Sequence, residues 1–187
     1  MKNMLKSIAI AATVLAAPVA AQTLPPAVIV VIDMDRVFQT SAAGKQAAAE
    51  LKTRADAIQA RLASLRTQYG TEEQTLIKSR PTAPGPAITA WETKARDMQT
   101  RKQKDEQDLA KRDQDFQASR QSVLKQINDA AQPIITAVMR ERGATIALAE
   151  GATLQHSGTI DVTTDIVARI DKSLPRVSTA TPAAAAK

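Results

Sequence analysis

Arg80-Pro81-Thr82-Ala83-Pro84-Gly85-Pro86 interrupts two long, charged, periodic runs, and its reading decides the fold. Three prolines and a glycine in seven residues end a helix: each proline lacks an amide donor and pushes the residue before it toward extended backbone. Before the break, apolar positions recur in steps of four and three at Leu51, Ala55, Ile58, Leu62, Leu65, Tyr69 and Leu76, with polar Glu72 in the same series. After it come Trp91, Ala95, Met98, Leu109 and Phe116, with Lys102, Asp105 and Arg112 at the polar steps. A sustained 3.5-residue period is the mark of a coiled coil. Folding back at the break pairs Leu76 with Trp91, Tyr69 with Met98, Ile58 with Leu109 and Leu51 with Phe116. Leu65 then faces Lys102, Leu62 faces Asp105 and Ala55 faces Arg112, so the seam is real but thin.

Composition agrees with a helical chain. Of 187 residues only 2% are aromatic and 6 are glycine, against 24% charged, which disfavours an all-β fold or a large layered core. With no cysteine there is no disulfide framework or thiolate chemistry, and the single His156, expected as a solvated loop residue, makes no multi-histidine metal site. No nucleophile, base and orienter fall together, and no cofactor is implied; an enzyme is therefore not expected. Asp33 and Asp35 follow the first strand, where the expectation is that one of them caps the next helical turn.

Residues 1–21 read as a secretory signal peptide: Lys2 and Lys6 form a basic start, Ile8 to Val14 and onward are apolar, and Val19-Ala20-Ala21 leads to a cut near Ala21. The mature chain is expected outside the cytoplasm. Without Lys2 and Lys6, the 25 basic residues become 23 against 19 acidic, a net of +4. That excess favours acidic partners, an anionic membrane surface among them.

The fold class expected is α+β and mostly α, a small β body carrying a long antiparallel helical hairpin arm. The body takes residues 22–40 and 123–175, the arm 41–122 with its tip at 80–87, and 176–187 form an Ala/Thr/Pro tail too poor in apolar area to order itself. Strands are expected at Ala27–Ile32, Ala144–Ala149 and, short, Ala152–Gln155. Thr40 or Ser41 caps the first arm, Pro133 kinks the second helix, Gly143 ends it, and Thr163 caps a last helix that stops before Pro175. So small a body leaves strand edges unprotected, which calls for oligomerisation through the sheet. Val28, Val30, Ile32, Ile146 and Leu148 are the candidates for that core, covered only in the oligomer. At the tip, Ile77 with basic Lys78 and Arg80 lies off the seam and offers a weak apolar and cationic contact.

The order of parts resembles the periplasmic chaperones of the Skp (OmpH-like) family. The segments that carry the resemblance are Val30-Val31-Ile32-Asp33-Met34-Asp35-Arg36-Val37-Phe38, Gly44-Lys45 and Gln132-Pro133-Ile134-Ile135. Two more are Ala144 to Leu154 and Ile160-Asp161-Val162-Thr163-Thr164-Asp165-Ile166-Val167-Ala168-Arg169-Ile170. The resemblance implies a periplasmic homotrimer with a barrel-like body, whose arms enclose a cavity for unfolded outer-membrane proteins. It also implies ATP independence, with release by handover to assembly machinery. The proline-rich tip and the alanine-rich tail match nothing in that pattern. A structural coiled-coil adaptor of an envelope complex is the alternative, though few residues remain outside the arms for flanking domains. A nucleic-acid-binding protein, suggested by the pI of about 9.8, is disfavoured by export and by the lack of a basic run with aromatics.

Overall fold

The computed structural model describes residues 26–182. The signal peptide expected at 1–21, with its cut near Ala21, lies outside them, as do residues 183–187. The chain runs β1 (Ile29–Ile32), α1 (Met34–Thr40), α2 (Ala42–Lys78), α3 (Pro86–Arg142), β2 (Ile146–Ala149), 3-10 turns at Glu150–Ala152 and Gly158–Ile160, and α4 (Thr163–Ser173). The described residues are mostly helical, with one two-stranded sheet among them.

β1 and β2 are parallel, with Ile29 opposite Ile146 and Ile32 opposite Ala149. Parallel neighbours need a crossover connection, and here the crossover is the whole hairpin of α2 and α3. On its other side β1 bridges Asp161 through Val31, and Val162 N–H donates to Val31 O at 3.0 Å. β1 is thus central and β2 is the open edge. The expected third strand is absent: Glu150-Gly151-Ala152 turns as a 3-10 helix, Thr153 N–H closing it onto Glu150 O at 2.9 Å. A closed turn so soon after β2 leaves no straight run to pair beside it.

Local chemistry sets the helix ends. Asp33 caps α1, its carboxylate accepting from Arg36 N–H at 2.8 Å, and Ser41 Oγ caps α2 by accepting from Gly44 N–H at 3.2 Å. Gly143 closes α3 at φ +63°, the left-handed conformation that favours glycine. α3 runs through Pro133 as one continuous helix. Thr163 is not the cap of α4. It is the first helical residue, fully buried, and its Oγ1 accepts from Asp33 N–H at 2.9 Å, while Asp161 accepts from Thr163 N–H at 2.8 Å. The hydroxyl is used to tie α4 to the start of α1.

The core forms where β1, α1, α4 and the adjoining ends of α2 and α3 meet, around Val37, Val123, Ile127, Ile166 and Ile170. Ala43, Ala47 and Leu51 of α2 belong to it, so the first turns of α2 pack with the body rather than the arm. Gly44 is there of necessity: a Cβ at that position would lie 1.6 Å from the Phe38 carbonyl oxygen. Arg169 of α4 fastens α3 from outside, donating twice to Glu141 at 2.8 and 2.6 Å and to Asp165 at 2.8 Å.

The tail corrects an expectation. Val177 and Thr179 are 6% and 5% exposed, and Val177 joins the core. Residues 176–182 hold little apolar area, but their order comes from polar groups on both long helices, described below.

Candidate functional site

Along α2 every seam position from Leu51 to Leu76 is buried or half-buried, and apart from Arg54 the residues between them are exposed. On α3 the pattern holds from Trp91 to Leu109 and then breaks at Arg112, which is exposed and pairs with Asp108 of its own helix at 2.8 Å. Only Leu65 and Tyr69 are buried on the arm beyond Leu51. A seam this thin leaves clefts. One of about 340 Å³ is lined by Leu62, Leu65, Tyr69, Lys102, Asp105 and Leu109. Another, of about 280 Å³, lies nearer the root between Ile58, Arg61, Arg112, Asp115 and Phe116.

The expected register holds at the tip, where Trp91 Nε1–H donates to Leu76 O at 2.8 Å. Farther down, side chains also reach one heptad on. Tyr69, set opposite Met98 by the simple pairing, donates its hydroxyl to Asp105 at 2.6 Å, and Ile58 shares its cleft with Phe116 rather than Leu109. Each knob in an antiparallel seam sits between two layers of its partner, so a strict one-to-one pairing describes only part of the contact. Asp105 accepts from Arg61 as well, at 2.8 Å. The Tyr69 hydroxyl first and Arg61 after it hold this carboxyl below its ordinary range, and the same bond raises the Tyr69 phenol. Arg101 pairs with Glu72 across the hairpin.

At the tip Ile77 is 68% exposed and Lys78 is exposed in the last turn of α2. Arg80 is exposed too, but its guanidinium stands 5.4 Å from the Trp91 ring centroid, a cation–π distance. In the body, Val30 and Ile32 are each 4% exposed within the single chain. That corrects the expectation that the strand residues are covered only in an oligomer: β1 is central in its own chain. Val28 and Ile146 remain open at 43% and 40%, and Leu148 is half-buried in a cleft of about 230 Å³ with Ile32, Ile135 and Ala147. Leu154, in the loop after β2, is fully exposed. His156 is not a free loop residue. Its ring contacts Ser157 O at 3.2 Å and Glu150 at 3.4 Å, and the backbone carbonyl first and the carboxylate second raise its pKa above 6.5.

Several working residues lie off the expected pattern. Gln46, Glu50 and Arg54 of α2 and Gln126 of α3 grip the tail, and the alternation of Val177 and Thr179 with exposed Ser178 was the one signal of an extended, half-buried segment. Among the described residues no cluster of His, Asp or Glu could hold a metal ion, and no helix is long and apolar enough to cross a membrane.

Residues 28–170 match the family model "Outer membrane protein (OmpH-like)". The chain is similar to the crystal structure of a protein from Caulobacter crescentus CB15 described as an outer membrane chaperone (OmpH-like). The two are 21% identical with a TM-score of 0.71, over 87% of this chain and 96% of that one. No curated protein matches the sequence.

Proposed function

Since the chain belongs to the OmpH-like outer membrane protein family, we propose that it is a periplasmic, ATP-independent holdase that keeps unfolded outer-membrane proteins from aggregating on their way to the outer membrane. The observation that carries this is the arm: two helices of 37 and 57 residues, charged on most faces, joined by a seam with only Leu65 and Tyr69 buried beyond the root. At about 1.5 Å per residue, α2 alone is roughly 55 Å long. A surface of that reach with few apolar contacts holds a chain weakly at many points, and several arms acting together raise the affinity by avidity.

Several arms require an oligomer, a homotrimer in this proposal. The face proposed for assembly is the open edge of β2 with Val28, Ile146 and Leu154, which together put large apolar side chains in water. In the proposal the body, 22–40 with 123–175, assembles, the arm, 41–122, holds clients, and residues 1–21 direct export. Ile77, Lys78 and Arg80 are the proposed tip contacts, and the net positive charge also favours an anionic membrane surface. No catalytic step is assigned.

The test is to dilute a urea-unfolded outer-membrane β-barrel protein into buffer with the mature chain and no nucleotide, following light scattering, with native mass spectrometry of the same mixture. Suppressed scattering and a complex of three chains with one client are expected. Unchanged scattering at a severalfold excess of the chain would exclude the holdase.

A further inference from the structure

Residues 177–179 lie against the roots of α2 and α3 with Val177 and Thr179 buried and Ser178 exposed, the alternation of an extended segment, and their main chain is bonded as though to a neighbouring strand. Gln126 of α3 donates its amide to Ser178 O at 2.8 Å and accepts from Ser178 N–H at 2.9 Å with the other end of the same carboxamide. Gln46 of α2 accepts from Val177 N–H at 3.2 Å, and Arg54 donates to Thr179 O at 2.5 Å. Four of these bonds touch backbone alone, which every residue but proline supplies in full. Side chains are read at two places. Val177 enters the core, and the Thr179 hydroxyl meets Glu50 at 2.5 Å and Arg54 at 3.4 Å. Ser178, between them, points to solvent. Beyond Thr179 the groove continues toward the arm as the cleft of Ile58 and Phe116, with Thr181 on its wall.

We propose that this groove is a main-chain-reading polypeptide site, filled in cis by the chain's own tail and in trans by an extended segment of an unfolded client with a small β-branched residue at the Val177 position. The trans occupant rests on the holdase function proposed above; the groove and its cis occupant do not. A side-chain carboxamide paired with both backbone groups of one residue reproduces what an edge strand offers an added strand. It selects for an extended, unfolded backbone rather than for a sequence. The tail, tethered at high effective concentration, then sets a threshold that only an extended chain arriving at several arms at once overcomes.

The probe is a fluorescein-labelled, capped peptide of the tail sequence, Arg-Val-Ser-Thr-Ala-Thr-Pro, titrated by anisotropy against the full mature chain and its variants. Ser178→Pro in the chain deletes the N–H given to Gln126 while leaving the Val177 side chain, and Val177→Asp is a second way to free the tail. Peptide binding at least tenfold tighter to Ser178→Pro than to the unaltered chain is expected, and a further Gln126→Ala should lose that gain. The same peptide with proline at its serine should bind at least tenfold more weakly. Equal binding to the unaltered and tail-freed chains, with both folded by circular dichroism, overturns the proposal, as does equal binding of the proline peptide. Displacement of the peptide by a urea-unfolded β-barrel protein supports the trans occupant, and its absence at saturating client overturns that half. The failures are separable: if the unaltered chain suppresses aggregation while the client leaves the peptide in place, the groove proposal fails and the holdase stands.

Discussion

Trp91 closes the hairpin on Leu76: its indole N–H donates to the Leu76 carbonyl at 2.8 Å, and Arg80 stands over a face of the ring. The Leu76 carbonyl lies in the last turn of α2, where no amide four residues on continues the ladder. The Ser79 hydroxyl also donates to this carbonyl, at 3.4 Å, but the shorter indole bond is the one that crosses the hairpin, so one side chain fixes the register and holds the loop arginine. Replacing Trp91 with Phe keeps a ring and removes the donor, at a cost of about 1 kcal/mol. Amide exchange should quicken at 74–92 and stay unchanged in the body. Faster exchange throughout would mean the tip and body do not open separately.

Gly44 and Gly70 lie on the same helix and should respond in opposite senses to alanine. At Gly44 the new Cβ meets the Phe38 carbonyl, which is backbone and cannot swing aside; at Gly70 nothing lies within 4 Å. Gly44→Ala should cost at least about 3 kcal/mol, at or beyond the usual range for overpacking. Gly70→Ala should gain about 0.5–1 kcal/mol from helix propensity. Urea melts of the two variants decide it, and equal stabilities would contradict the close approach of α1 and α2.

The arm was legible in the sequence because its physics is local: a 3.5-residue repeat and a proline-rich breaker need no knowledge of distant residues. The cap at Asp33 and the stop at Gly143 are local for the same reason. What depended on distant partners was not legible. Val177 and Thr179 are ordered by Gln46, Glu50, Arg54 and Gln126, all more than 50 residues away, and the alternation of Val177 and Thr179 about Ser178 hints at an extended segment without pointing to those partners. Val30 and Ile32 have the composition of any buried strand, and only the topology, with Val31 bridged to Asp161, covers β1 within one chain. Ala152–Gln155 has strand composition too, yet the turn that begins at Glu150 decides its course.

That topology separates two aspartate substitutions. Val30→Asp places a carboxylate in the core of the single chain, and the body should unfold whatever the assembly state. Ile146→Asp alters a residue that is 40% exposed at the open edge. It should leave the monomer's helical circular dichroism intact and shift sedimentation toward a single chain. An Ile146→Asp protein that still sediments as an oligomer would remove this edge from the assembly face.

Charge at the tip is tested by salt. Lys78→Glu with Arg80→Glu reverses two exposed cations beside Ile77. The Debye length is about 10 Å at 0.1 M salt and about 3 Å at 1 M, so a role in attracting clients shows only at the lower concentration. Aggregation suppression should weaken severalfold at low salt, with the difference from the unaltered chain vanishing at 1 M and the oligomer unchanged. Arg80 also leaves the Trp91 ring in this variant, so Lys78→Glu alone should retain the salt effect without loosening the tip.

His156, the only histidine in the chain, reports on the loop that carries the exposed Leu154. Its ring is held by the Ser157 carbonyl and, at 3.4 Å, by Glu150, and both favour the protonated form. The folded pKa is therefore raised above 6.5, and the sign of the linkage follows. The protonated ring's contribution to loop stability is fully present below 6.5 and is lost as pH rises through the folded value. A single imidazole resonance followed by NMR should titrate above 6.5. Glu150→Gln removes the charged partner and leaves the Ser157 carbonyl, the larger influence, so the midpoint should fall but remain above 6.5. Amide exchange at 150–158 should quicken between pH 6 and 8 relative to β1, and less so in Glu150→Gln, which has less to lose. A midpoint at or below 6.5 in the unaltered chain would mean that the Ser157 and Glu150 contacts do not hold the ring in solution.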